Sequence, residues 1–147
     1  MQEPTLRVLL LEDNPGDARL LLEGMKDEGR GTFDVTWTET VQSAGGAMRQ
    51  RPFDAMLLDL NVADSRGFDT FTTVKLMSPN LPIVVLTGTE DETLGLRAVQ
   101  EGAQDFLIKG QASPTSVARS IRFAVERNRS LQWHMSKGKH SPGGRVI

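Results

Sequence analysis

Four short, unbroken apolar runs in this chain each stop at a residue able to handle phosphate or a metal ion. The run at 8–11 ends on Glu12 and Asp13, that at 56–58 on Asp59, that at 83–86 on Thr87, and that at 106–108 on Lys109. Apolar runs of this length bounded by turn residues read as strands buried on both faces, as in parallel sheets. In open α/β sheets, ligands bind beyond the carboxyl ends of the strands. The pattern therefore predicts that three carboxylates, a hydroxyl and an ammonium meet at one end of one sheet.

Helix signals fill the intervals. Asp13-Asn14-Pro15 reads as a helix start, with a capping side chain and a proline in the first turn. Ala18, Leu21, Leu22 and Met25 then give an apolar face to about residue 28, closed by Gly29. Phe33, Val35 and Trp37 alternate with polar residues, the mark of a half-covered edge strand. A weak helix follows near 40–50, where Gly45-Gly46 lowers the propensity. Strands are expected at 6–11, 54–59, 82–87 and 105–108, and helices after residue 67, where Phe68 and Phe71 share a face, at 90–101 and at 114–135. Five strand–helix units with right-handed crossovers predict an α/β fold, a doubly wound parallel sheet with helices on both faces. The continuous runs belong in the centre and strands 2 and 5 at the edges, which gives the order 2-1-3-4-5. Its switch point lies between strands 1 and 3, where Asp13 and Asp59 end their strands.

With 147 residues, 38% of them hydrophobic, the chain has the size and apolar content of one domain. No apolar stretch approaches the ~20 residues of a membrane span, and the start lacks a signal-peptide pattern. The absence of cysteine excludes disulfides and thiolate metal sites and fits a cytoplasmic protein. Charge is unevenly spread. Residues 1–118 hold 10 basic and 18 acidic side chains, and residues 119–147 hold 7 basic and 1 acidic. A solvated helix and tail is the plainer reading of the basic end; contact with an acidic partner is the sharper one.

Clustered carboxylates repel unless a cation sits among them. A hard divalent ion such as Mg2+ or Mn2+ suits oxygen donors. Asp13 and Asp59 are candidate direct ligands, Glu12 a water-mediated one, and the backbone carbonyl of Asn61 a further oxygen. Asp59, ending a central strand, is the candidate nucleophile for an aspartyl phosphate. Phosphoryl transfer asks mainly for positioning and charge neutralisation. Lys109 can pair with one phosphoryl oxygen, and the Thr87 hydroxyl can donate to another.

Taken together, Glu12-Asp13, Asp59, Thr87 and Lys109, with the stretches Leu58-Asp59-Leu60-Asn61 and Leu86-Thr87-Gly88, resemble the receiver domain of two-component response regulators over about residues 5–127. The resemblance implies a flavodoxin-like fold and phosphorylation of Asp59 by a histidine kinase or histidine phosphotransfer protein. It implies Mg2+ held by Asp13, Asp59 and the Asn61 carbonyl, with Glu12 in support. It also implies that Thr87 moves toward the phosphate and Phe106 turns inward, remodelling the face of helix 4, strand 5 and helix 5. Asn61 and Thr89 are expected to flank the phosphate and tune its lifetime. Three positions depart from the common pattern: Glu12 stands where Asp is frequent, Phe106 where Tyr is frequent, and Gly110 where a cis proline is frequent. The implied role is a phosphoryl acceptor with slow self-dephosphorylation, not a turnover enzyme.

The last helix exceeds what a receiver needs. Val117, Ile121, Ala124, Asn128, Leu131 and Met135 follow a heptad spacing. Residues 128–136 are read as an extension open to homodimerisation, and 137–147 as a disordered basic tail. His134 and His140 fall there, far from the site. The residues after 135 cannot supply a helix-turn-helix, so DNA binding is not expected. The downstream target is a protein of unknown identity. The competing reading is a phosphorylation-independent, receiver-like dimerisation module. A phosphohydrolase would want a carboxylate at position 61 for proton transfer, and a nucleotide binder would want a glycine-rich loop after strand 1; the chain has neither.

Overall fold

The computed structural model describes residues 5–26 and 33–139, the last six by backbone alone. The strands are β1 (Leu6–Leu11), β2 (Phe33–Thr38), β3 (Ala55–Asp59), β4 (Ile83–Thr87) and β5 (Asp105–Ile108). The helices are α1 (Pro15–Lys26), α2 (Val41–Gln50), α3 (Phe68–Met77), α4 (Glu92–Gln100) and α5 (Pro114–Lys139). All strand pairs are parallel, in the order β2-β1-β3-β4-β5. This is the doubly wound topology expected from the sequence, with the alternating strand β2 at one edge.

Alternate residues of the central strands feed two cores. Leu9, Leu11, Met56, Leu58, Ile83 and Val85 pack with Val41, Ala44, Phe71, Val74 and Ala98 from α2, α3 and α4. Val8, Leu10, Leu57, Val84 and Leu86 pack with Ala18 and Met25 of α1 and Val117, Ile121, Ala124 and Val125 of α5. Every residue of β3 and β4 is buried. A polar residue at the end of such a strand is therefore held by a fully packed backbone.

Register then sets the site. Leu11 pairs with Leu58, Asp59 with Leu86, and Thr87 with Ile108. Glu12 lies one step beyond Leu11 and so stands level with Asp59. Lys109 lies one step beyond Ile108, and its N–H donates to the Thr87 carbonyl at 2.8 Å.

Two elements depart from expectation, and a helix expected to be weak forms in full. The segment expected as one helix over 90–101 is a 3-10 turn, Thr89–Asp91, followed by α4. Helix α2 forms in full despite its glycine pair. A capping box links Thr40 and Ser43, and the Asp64 carboxylate accepts from Val41 N at 2.8 Å and Gln42 N at 3.1 Å. At Gly45 a Cβ would stand 2.9 Å from Met77 Cε, so the bare backbone leaves room for the end of that α3 side chain. Helix α5 continues to Lys139, past the expected boundary at 136, although Gly138 costs a helix about 1 kcal/mol. The Lys109–Gly110 peptide is trans, and Gly110 takes φ +84°. The close of the first helix at Gly29, the side chains of His134 and Met135, and His140 with the rest of the tail lie outside the described residues.

Candidate functional site

The carboxyl ends of β1, β3, β4 and β5 bring Glu12, Asp13, Asp59, Thr87 and Lys109 to one end of the sheet. The Lys109 ammonium is the hub. Its Nζ lies 2.8 Å from Asp59 Oδ2, 2.6 Å from Glu12 Oε1 and 3.2 Å from Asp17 Oδ2. The Glu12 contact is an ion pair. Glu12 is fully buried and Asp59 nearly so. Burial pushes the Glu12 carboxyl up to about 7; Lys109 opposes this and Asp59 adds to it. Burial also pulls the Lys109 ammonium down, but Asp59 and Glu12 outweigh it and hold the group charged above the ordinary lysine range.

Backbone donors steady the carboxylates. Asn61 N–H donates to Asp59 Oδ1 at 3.1 Å, and Asn14 N–H donates to Glu12 Oε2 at 3.2 Å. On the other side, Trp37 Nε1 donates to the Glu12 carbonyl at 2.6 Å, fixing the end of β1 against β2.

One carboxylate oxygen from each of Glu12, Asp13 and Asp59 falls within a 4.8 Å cluster. Of these, Glu12 and Asp59 also face the Lys109 ammonium, and Asp17 makes a third carboxylate against it. The donors are all oxygen, with no imidazole or thiolate among them, which suits a hard divalent cation. A second feature points to a missing acceptor: Thr87 is buried, and its Oγ1 has no hydrogen-bond partner among the described residues. A buried hydroxyl left this way costs about 1–3 kcal/mol.

Asn61, Thr89 and Phe106 flank this cluster in sequence and have their own surroundings. The Asn61 side chain directs its hydrogen bonds to Asp91 and Gly67. Its Nδ2 donates to Asp91 Oδ2 at 2.9 Å, and its Oδ1 accepts from Gly67 N at 3.0 Å. Thr89 is exposed on the 3-10 turn. Phe106 is half-buried, with its ring against α4. A Cβ at Gly95 would meet that ring at 2.6 Å, so Gly95 makes the notch that admits it.

Sequence reasoning missed Asp17 and Asp91. Asp17 had a weak signal, lying four residues after Asp13 in the first turn of a helix. Asp91 had none, because its bond to Asn61 joins residues thirty positions apart. Asp17 and Lys109 also line a cavity of about 280 Å³, together with Leu20, Leu21, Pro114 and Val117.

Comparison with known proteins bears on this geometry. Residues 8–120 match a family model described as the response regulator receiver domain. The "Cell cycle transcriptional regulator CtrA" of Caulobacter vibrioides is 30% identical over 124 residues, covering 84% of this chain and 52% of that protein. The chain thus spans about half the length of this curated relative. Among solved structures, the signal receiver domain of a LuxO repressor protein from Vibrio parahaemolyticus aligns with TM-score 0.75 and 25% identity, covering 88% of this chain and 96% of that one. A response regulator receiver domain protein from Clostridium thermocellum aligns with TM-score 0.75 over 86% of this chain and 98% of that one; at 19% identity it supports the fold alone.

Proposed function

The chain belongs to the response regulator receiver family of two-component signalling, and on that footing we propose that Asp59 accepts a phosphoryl group from a histidine kinase or histidine phosphotransfer protein in the cytoplasm. Receivers are in general regulatory phosphoacceptors rather than turnover enzymes. The observation that carries the reading is the pairing of Asp59 with Lys109 at 2.8 Å beside the buried Thr87 hydroxyl, which has no partner among the described residues.

The residues divide the work. An Asp59 carboxylate oxygen attacks phosphorus, the donor's P–N bond breaks, and the imidazole nitrogen leaves with the electron pair. Lys109 exchanges part of its carboxylate cage for a phosphoryl oxygen. Thr87 donates its hydroxyl proton to another, ending its unsatisfied burial. Asp13, Asp59 and the Asn61 carbonyl would hold Mg2+ or Mn2+, with Glu12 behind them through water. Bound there, the ion neutralises the carboxylates and one phosphoryl oxygen. The donor protein approaches along the apolar cavity lined in part by Leu20, 70% exposed on α1.

Output runs through protein contacts. Leu96 and Val99 of α4 and Phe123 of α5 are large exposed apolar side chains flanking β5. Phe106 and Thr87 link that face to the site through β5 and β4. The exposed Leu131 and Trp133 on the extension of α5 favour a homodimer through that helix as an accessory contact. Among the described residues no helix is long and apolar enough to cross a membrane.

Incubation with Mg2+ and a small acyl phosphate, followed by intact-protein mass, tests the assignment. One phosphate on the parent, none on Asp59→Asn and none with chelator is the expected result. Phosphate retained by Asp59→Asn would remove Asp59 from the role. A parent that takes no phosphate and no beryllofluoride would leave the phosphorylation-independent module as the better reading.

A further inference from the structure

Asn61 sits two residues past the proposed phosphoacceptor, and its backbone N–H already bonds Asp59 Oδ1. Its side chain is committed elsewhere. The carbonyl end accepts from Gly67 N at the start of α3, and the amide end donates to Asp91 Oδ2 on the 3-10 turn that follows β4. The partners fix the orientation of the amide: a backbone N–H needs the oxygen, and a carboxylate needs the NH2 group. The half-buried Asp91 is held in turn by its own N–H, which donates to the Gly88 carbonyl at 3.0 Å. The segment that carries Asp91 begins directly after Thr87.

We propose that Asp91 is a positioning residue that holds the Asn61 carboxamide away from the acylated Asp59 and so lengthens the life of the aspartyl phosphate. This rests on the phosphoacceptor reading above. Hydrolysis needs a water oxygen to attack phosphorus in line while the P–O bond to the Asp59 carboxylate breaks; the carboxylate leaves and the water protons pass to phosphate and solvent. A carboxamide two residues from the acceptor can orient that water if it is free to turn. The charge-assisted bond to Asp91 keeps it turned toward α4. The same bond ties the acceptor loop to the segment following Thr87, so movement of that segment on phosphorylation works against it.

The test combines Asp91→Ala, Asp91→Asn, Asn61→Ala and the double variant Asn61→Ala/Asp91→Ala. Each protein is loaded with acetyl phosphate and Mg2+, and loss of phosphate is followed by mass. Asp91→Ala is expected to shorten the lifetime about three- to tenfold, the size of one net hydrogen bond. Asp91→Asn keeps an oxygen acceptor and should stay near the parent. In the Asn61→Ala background, Asp91→Ala should change nothing. An equal effect in both backgrounds, or no effect in the parent, overturns the proposal. The side-chain amide resonance of Asn61 in unphosphorylated, metal-free protein gives a separate readout. It should move in Asp91→Ala and far less in Asp91→Asn; an unmoved resonance overturns the latch even if the chain proves unable to take phosphate, a result that would instead sink the phosphoacceptor reading.

Discussion

At the scale of single residues, the site holds more negative charge than one ammonium can balance, and Glu12 carries the consequence. Its folded value near 7 lies above the ordinary 4.5. The folded protein therefore favours the protonated carboxyl. That stability is fully present below about 4.5 and is lost as pH rises through about 7, by at most about 3 kcal/mol. Urea unfolding of metal-free protein from pH 4.5 to 8 should show this fall for the parent and a flatter profile for Glu12→Gln. Matching profiles would mean that Lys109 keeps Glu12 ionised throughout. Thr87 makes an opposite kind of prediction. Its hydroxyl lacks a partner among the described residues, so Thr87→Val removes a buried polar atom without breaking a bond seen there. We expect unfolding free energy of the unphosphorylated protein to be unchanged or raised by about 1 kcal/mol. A loss of that size in unfolding free energy would show that the hydroxyl is bonded after all.

Elements are held in place by bonds reaching far along the chain. Asp64, in the loop after β3, caps the amino end of α2. Asp64→Ala should cost about 1 kcal/mol by chemical denaturation, the usual worth of a cap, because Thr40 still supplies the capping box. A cost near zero would mean that Thr40 alone suffices. Helix α4 and strand β5 meet through Gly95 and Phe106. Alanine suits a helix better than glycine by about 1 kcal/mol, but at position 95 its Cβ would overlap the Phe106 ring. Gly95→Ala should therefore destabilise by about 1–3 kcal/mol. In a Phe106→Ala background the same change should become neutral or stabilising. Additive effects would show that the ring moves aside freely.

At the scale of the whole molecule, the two faces of the sheet do different work. The α1–α5 side carries the cavity beside Lys109, and the other side carries α4 and the Phe106 contact. Helix α5 serves the fold in its first half, where Val117, Ile121, Ala124 and Val125 are buried, and then leaves it. Leu131 and Trp133 are 52% and 58% exposed. If they meet a second copy, light scattering over a concentration series should show a dimer that Leu131→Lys disperses without changing the urea midpoint of the monomer. A parent that stays monomeric at the highest concentration, with and without beryllofluoride, removes dimerisation through α5.

The strands, their order and the identity of the residues at their carboxyl ends were legible in the chain itself. Each is set by local pattern: unbroken apolar runs mean burial on both faces, alternation in β2 means an edge, and right-handed crossovers leave little choice of order. For the same reason Glu12, Asp13, Asp59, Thr87 and Lys109 could be placed at one end without coordinates. What only the tertiary structure decided is which side chains touch. Asp17 joining Lys109, Asp64 capping α2, Asn61 turning to Asp91 and Phe106 lying in the Gly95 notch all join residues distant in sequence. Periodicity reports which face a residue occupies. A hydrogen bond forms within a few tenths of an ångström, and that separation is fixed only when the sheet register and the helices packed on it have set every backbone position.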